Sequence, residues 1–231
     1  MTQLFFSEYE EAPSGIPLVI FGAGGLGREV LLLIQQLNAA TAPAAWNVRG
    51  FYDDHAPTTA TVAGLPYLGT SADLNATPEP LAVAVAVGSP ASRAAVVARL
   101  TSAQLSFPVL VHPKVALAPQ QRIAVGEGSI IQQGCILTCD ITLGRFVLLN
   151  LGCTIGHDAV LGDFSSLMPH ANLSGAARLG AGAYLGTNAT VIQHISIGEH
   201  TILGAGAVAV RDLPANVTAV GVPAKELKIE N

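Results

Sequence analysis

Charge is scarce in this chain. Only 12% of its 231 residues are Asp, Glu, Lys or Arg, about half of the roughly 25% usual in globular domains. There is no run of lysines or arginines, and the net charge is −5. That excludes the electrostatic footprint of a nucleic-acid binder or of a protein drawn to an anionic membrane. Long apolar runs are also missing. The most apolar stretches, Leu18–Phe21 and Leu81–Val87, fall far short of the roughly 20 residues that a spanning helix needs. Cysteine occurs only at Cys135, Cys139 and Cys153, with no Cys-x-x-Cys spacing. Such an odd count is expected of reduced, small buried residues in a cytoplasmic protein. The start, MTQLFFSEYEEAPSG, has no basic segment ahead of an apolar one, so it is not read as a signal peptide; residues 1–15 read as a flexible arm.

Aliphatic side chains and glycine are what the chain has in quantity. Steps of six from Val125 reach Ile131, Leu137, Leu143, Leu149, Ile155 and so on to Leu203 and Ala209; fourteen of these fifteen residues are Leu, Ile or Val. A helix would repeat near 3.6 and a single strand at 2. Gly126, Gly144, Gly162, Gly180 and Gly198 recur every 18 residues. Eighteen is three sixes, so three short strands make one triangular coil, with glycine expected at a corner where φ is positive. This is the pattern of a hexapeptide parallel β-helix. Each inward aliphatic contributes roughly 1.5–3 kcal/mol gross, offset largely by chain entropy, so coils become stable only when stacked.

The first half has a different rhythm. Leu18–Phe21 reads as a strand, Arg28–Leu37 as a helix, Asn47–Tyr52 and Leu81–Val87 as strands, and Ala91–Leu100 as a second helix. The alternation predicts a small parallel α/β sheet over residues 16–106. Phe107–Pro119 connects it to an all-β helix over 107–213, and the tail, 214–231, is expected to leave the coil as a short strand plus a helix or loop.

Gly22-x-Gly24-x-x-Gly27 follows the first strand and opens the first helix, the context of a phosphate-binding turn. Asp53 and Asp54 end the next strand, where carboxylates can bind ribose hydroxyls or a base. About 100 residues are too few for a two-halved dinucleotide fold, which points to a mononucleotide or nucleotide-sugar site; the plain alternative is a tight turn that merely packs a helix. His157 and Asp158 lie just past the inward Ile155, off the apolar column and near a corner. Imidazole ordinarily titrates close to neutrality and suits a general base. The plain alternative is a surface histidine, since neighbours in an extended chain point apart. His170, His194 and His200 form no short His-x-x-x-His pair with it, and no metal is expected. His55 and His112 read as structural or incidental.

The ordered blocks VIFGAGGLGREV, FYDD, AVGSPASR, LVHPKVAL, ILTCDITLGRFVLLNLGCTIGHDAVLGDF and ILGAGAVAVRDLPANVTAVGVPAK resemble the bacterial hexapeptide-repeat sugar acyltransferases of the NeuD/PglD type. The resemblance spans Leu18 to Lys225. It implies a Rossmann-like N-terminal domain, a left-handed β-helix, a homotrimer, acetyl-CoA in the groove between adjacent β-helices, and a sugar nucleotide on the N-terminal domain. It assigns His157 as general base, Asp158 as its carboxylate and Asn150 to acceptor placement. Gly175, Thr187, Ala205, Gly206 and Lys225 fall along the CoA groove; Gly22, Gly24, Gly25, Asp53, Asp54 and Gly88 form the nucleotide-sugar cradle. Two positions depart from the family: Gly156 stands where Glu is frequent, and Ser166 where a second histidine is common, with His170 four residues on.

The reaction so implied is direct N-acetylation of a nucleotide-linked 4-amino-sugar, with no acyl-enzyme on any cysteine, in a bacterial surface-glycan pathway. The alternatives are sugar O-acetylation, as on sialic acid, or a non-catalytic trimer that binds a nucleotide sugar.

Overall fold

The structure, a computed structural model, describes residues 15–227. The expected arm, 1–15, lies outside the described residues but for Gly15. The chain opens with β1 (Ile16–Phe21), α1 (Gly25–Ala40), β2 (Trp46–Tyr52), β3 (Thr61–Val62), β4 (Leu65–Gly69), α2 (Ser71–Asn75), β5 (Leu81–Val85), α3 (Pro90–Arg99) and β6 (Leu105–Ser106). The sheet order is β3-β4-β2-β1-β5-β6, parallel except for the β3–β4 hairpin. Alternation along the central strands sorts the core. Leu18, Ile20, Ala82 and Ala84 pack with Val30, Leu31 and Ile34 of α1. Val19, Phe21, Val83 and Val85 pack on the other side with Leu74 and Val96. The hairpin and α2 escape a sequence reading because β4 alternates exposed and half-buried residues, while short β3 and α2 each bury a single apolar side chain, Val62 and Leu74.

A parallel β-helix follows. Its first face stacks Ile136–Leu137, Thr154–Ile155, Asn172–Leu173, Thr190–Val191 and Val208–Ala209. The second face stacks Ala124–Val125, Thr142–Leu143, Val160–Leu161, Arg178–Leu179 and Ser196–Ile197. The third begins at Leu110–Val111 and runs through Ile130–Ile131, Leu148–Leu149, Ser166–Leu167, Tyr184–Leu185 and Ile202–Leu203. Within the coils each residue pairs with the one 18 positions on, as Thr154 does with Asn172. The second residue of each pair points inward, and the period-six column is buried from Ile131 to Ala209. A second buried column of smaller residues fills the corners: Cys135, Cys153, Ala159, Ala171, Ala177, Ala183, Ala189 and Ala207. Two of the three cysteines are therefore the small buried residues expected, but Cys139 is only half-buried at an edge.

Two expectations are corrected. Positive φ does recur every six residues, but at Asp140, Phe146, Gly152, Asp158, Phe164, His170 and onward, not at the glycines of the 18-residue period. Those glycines answer to close approach: a Cβ on Gly162 or Gly180 would lie 2.5 Å from the backbone nitrogen of Ala181 or Glu199 in the next coil. The tail does not leave the coil at 214. Thr218–Val220 pairs with Ile202–Leu203, extending the third face, and Lys225–Glu226 folds back antiparallel to it. No helix forms in the described part of the tail.

The α/β domain docks on the third face. Ile130 and Leu148 enter the α1 core, and Phe146, stacked on Phe164 at 5.3 Å and edge-on to Phe107, enters the other. Buried Arg93 of α3 crosses the seam to carbonyls of both domains. Burial pushes its guanidinium down to about 10, so it stays charged at neutral pH. His112 is buried where the chain enters the β-helix; its Nδ1 accepts from the Lys114 N–H, the structural role expected.

Candidate active site

All six expected cradle residues, Gly22, Gly24, Gly25, Asp53, Asp54 and Gly88, line one open cavity of about 550 Å³ beyond the carboxyl ends of β1, β2 and β5. The glycines there have different causes. Gly22 has φ +115° and would place a Cβ 2.5 Å from the Ala86 carbonyl oxygen; a Cβ on Gly27 would overlap the Gly22 carbonyl. Among the described residues, nothing beyond the adjoining stretch of chain lies within 4 Å of a Cβ at Gly24 or Gly25, so side chains there would occupy the open cavity. Gly24 caps α1 without a side-chain bond, and the first turn itself contains no acidic residue. Unpaired N–H groups and the positive end of the helix dipole therefore face the cavity.

The two aspartates are anchored in the chain. Asp53 Oδ2 accepts from Ala23 N–H at 2.8 Å and Oδ1 from His55 N–H at 2.9 Å. Asp54 accepts from Ser71 N–H at 2.8 Å and pairs with Arg99 at 2.6 Å. Burial works against the Asp54 charge, but Ser71 and Arg99 outweigh it and hold the carboxyl below its ordinary range.

His157 and Asp158 occupy the edge between the first and second faces. Asp158 is left-handed, φ 60°. That turn folds its carboxylate back, so Oδ2 lies 2.7 Å from His157 Nδ1, a contact that an extended pair would not make. An ionised carboxylate only accepts, so in the neutral ring Nδ1 carries the proton and Nε2 the free lone pair. The ring lies over Gly175, the equivalent residue one coil later: a Cβ there would sit 2.5 Å from Nε2. The Gly175 N–H takes no partner among the described residues. One coil earlier, Arg122 makes a two-pronged pair with Asp140 at 2.6 and 2.5 Å and holds that carboxyl low.

The other expected residues lie elsewhere. Asn150 is buried at the edge between the third and first faces, its Oδ1 accepting from Leu151 N–H at 2.7 Å. Thr187, Ala205 and Gly206 are exposed along that same edge, with Gly206 N–H donating to the Thr187 carbonyl at 2.8 Å. Lys225 is exposed on the last strand. Ser166 is fully buried: it accepts from Arg93 at 2.8 Å and donates to the Gly88 carbonyl at 2.9 Å. The exposed His170 ring lies over Gly152 on the Asn150 edge. Within one chain the cradle sits on the third face, and the His157 edge lies opposite. Sequence reasoning missed Arg93, Arg99, Arg122 and Asp140. Arg93 and Arg99 reach partners 45 to 73 residues away in other elements, which periodicity does not reveal; Arg122 and Asp140 stand 18 residues apart, so the coil period was the signal that could have found them. Among the described residues no group of three His, Cys, Asp or Glu is disposed to hold a metal, and no helix is long and apolar enough to cross a membrane.

An α/β domain with a glycine-turn cradle, docked on a β-helix that presents an imidazole at its edge, defines a hexapeptide-repeat transferase. Residues 17–100 match the PglD N-terminal domain family. PerB from Caulobacter crescentus, solved with CoA and GDP-perosamine, is 32% identical; the match covers 92% of this chain and 97% of that one, with a TM-score of 0.80. The acetyltransferase domain of PglB from Neisseria gonorrhoeae, solved with acetyl coenzyme A, is 31% identical over 93% of this chain and 100% of that one, TM-score 0.81. WeeI from Acinetobacter baumannii is 29% identical over 93% and 100%, TM-score 0.81. A comparison with curated proteins gives no match. The chain belongs to the PglD/PerB family of sugar acetyltransferases.

Proposed function

We propose that the protein transfers the acetyl group of acetyl-CoA to the amine of a nucleotide-linked 4-amino-sugar, with His157 as general base. The observation that carries this reading is the His157–Asp158 hydrogen bond, which leaves Nε2 as the free acceptor above Gly175. The sugar amine attacks the thioester carbonyl carbon, Nε2 takes its proton, and the Gly175 N–H receives the oxyanion. Collapse breaks the C–S bond, and the thiolate recovers the proton from the imidazolium, giving the amide and free CoA. No metal takes part. Thr187, Ala205 and Gly206 form the groove for CoA, Lys225 meets a CoA phosphate, and Asn150 orients the acceptor. The cavity at Gly22, Gly24, Gly25, Asp53, Asp54 and Gly88 holds the nucleotide. The working unit is a homotrimer in the cytoplasm: the cradle and the imidazole lie on opposite sides of one prism, so a neighbouring copy completes the site.

The test is release of CoA thiol with UDP-, dTDP- and GDP-linked 4-amino-sugars, beside the corresponding 4-hydroxy sugars. Turnover with an amino-sugar supports the reading. Turnover confined to hydroxy sugars replaces it with O-acetylation, and a chain that binds nucleotide sugar but releases no thiol is not an enzyme of this kind.

A further inference from the structure

We propose that Arg93 is a positioning residue for the nucleotide sugar, tying the Val87–Gly88 wall of the cradle to the β-helix. The inference rests on the acetyltransferase reading above. Arg93 is 2% exposed, and every partner it has is uncharged. On the cradle side it donates to the carbonyls of Val87 at 2.6 Å and Gly88 at 3.2 Å. On the β-helix side it donates to the carbonyls of Phe146 at 2.9 Å, Phe164 at 2.7 Å and Ser165 at 3.1 Å, and to Ser166 Oγ at 2.8 Å. Ser166 passes a second tie back to the Gly88 carbonyl at 2.9 Å.

Each end of this bridge is significant. Val87 and Gly88 line the cavity, as do Ser92 and Arg99 on α3, the helix that carries Arg93. A shift of α3 at the seam is therefore a shift of the cavity wall. The β-helix end is stiff, because Phe146 and Phe164 occupy successive coils and stack within 3° of parallel. Planar guanidinium is the side chain that reaches six acceptors spread over two domains; an ammonium has three protons and no fork. No carboxylate among the described residues pairs with Arg93, so its positive charge stands uncompensated behind a cavity suited to a diphosphate.

The test compares Ser166→Ala, Arg93→Lys and Arg93→Met with wild type in thiol release, using the amino-sugar nucleotide that the wild type turns over. Ser166→Ala removes one acceptor and the tie to Gly88 and is expected to fold. Its KM for the nucleotide sugar should rise roughly three- to tenfold, the weight of one or two hydrogen bonds, with kcat and the KM for acetyl-CoA within twofold. Arg93→Lys should raise the same KM further, and Arg93→Met furthest. A merely structural role would lower the active fraction and leave both KM values alone. The proposal is overturned if folded Ser166→Ala and Arg93→Lys keep the wild-type KM for the nucleotide sugar, or if the KM for acetyl-CoA rises equally. Wild type that releases no thiol would instead sink the acetyltransferase reading, and this inference with it.

Discussion

Gly175 has no side chain where a Cβ would meet the imidazole of His157, and that contact makes the pair testable one residue at a time. His157→Ala should cut kcat at least ~100-fold while leaving acetyl-CoA binding nearly unchanged, the usual weight of a positioned base; retained turnover would remove His157 from the mechanism. Gly175→Ala keeps every ionisable group but puts a methyl 2.5 Å from Nε2. The ring must swing away, and kcat should fall by roughly tenfold or more. Asp53 acts differently. Its Oδ2 holds the Ala23 N–H, so Asp53→Ala should loosen the glycine turn and raise the KM for the nucleotide sugar. Asp53→Asn, which keeps an oxygen acceptor, should do less. An unchanged KM in both variants would detach the turn from substrate binding.

Elements carry their own demands. In the β-helix the 18-residue glycines stand where one coil passes close to the next. Gly162→Ala or Gly180→Ala should therefore destabilise by about 1–3 kcal/mol, the usual cost of overpacking. The check is a lower denaturant midpoint at constant m-value. Alanine at Gly24, where the space is open, is the contrasting control. In the α/β domain, α2 depends on acid. Asp73 accepts from the backbone and hydroxyl of Thr70, which hold its carboxyl below the ordinary range. A lowered native pKa stabilises fully above the unfolded value of about 3.9 and is lost as pH falls through the native one. Stability should accordingly decline below about pH 4, and Asp73→Asn should flatten part of that decline. A variant with the same acid profile as wild type would clear Asp73 of the effect.

At the scale of the molecule, the triangular section sets the terms. The seam with Arg93 puts the cradle on the third face; the imidazole stands on the opposite edge. If a neighbouring copy completes each site, an inactive His157→Ala chain and a chain whose cavity is blocked by Gly24→Trp should restore thiol release when refolded together. Two inactive chains that stay inactive in a verified mixed assembly would return the whole site to one chain.

The periodicities were legible because they are local. A residue six positions from a buried aliphatic is itself inward, whatever the rest of the chain does, so the column from Ile131 to Ala209 follows from the sequence. The glycine turn after β1 follows in the same way, from its place between a strand and a helix, and its Gly22 and Gly24 line one cavity with Asp53 and Asp54; Gly25 and Gly88, which the family resemblance added, line it too. What the tertiary structure decided is everything set by close approach or by partners far along the chain. The left-handed turn at Asp158 brings the carboxylate onto His157. The backbone of the next coil, not φ, demands the periodic glycines. Thr218–Val220 remains in the coil because Ile202–Leu203 offers it an unpaired ladder. Arg93 finds its β-helix carbonyls 53 to 72 residues away. Periodicity states which side of a strand is buried; it does not state what covers the outside, because that depends on two surfaces meeting only after each has folded.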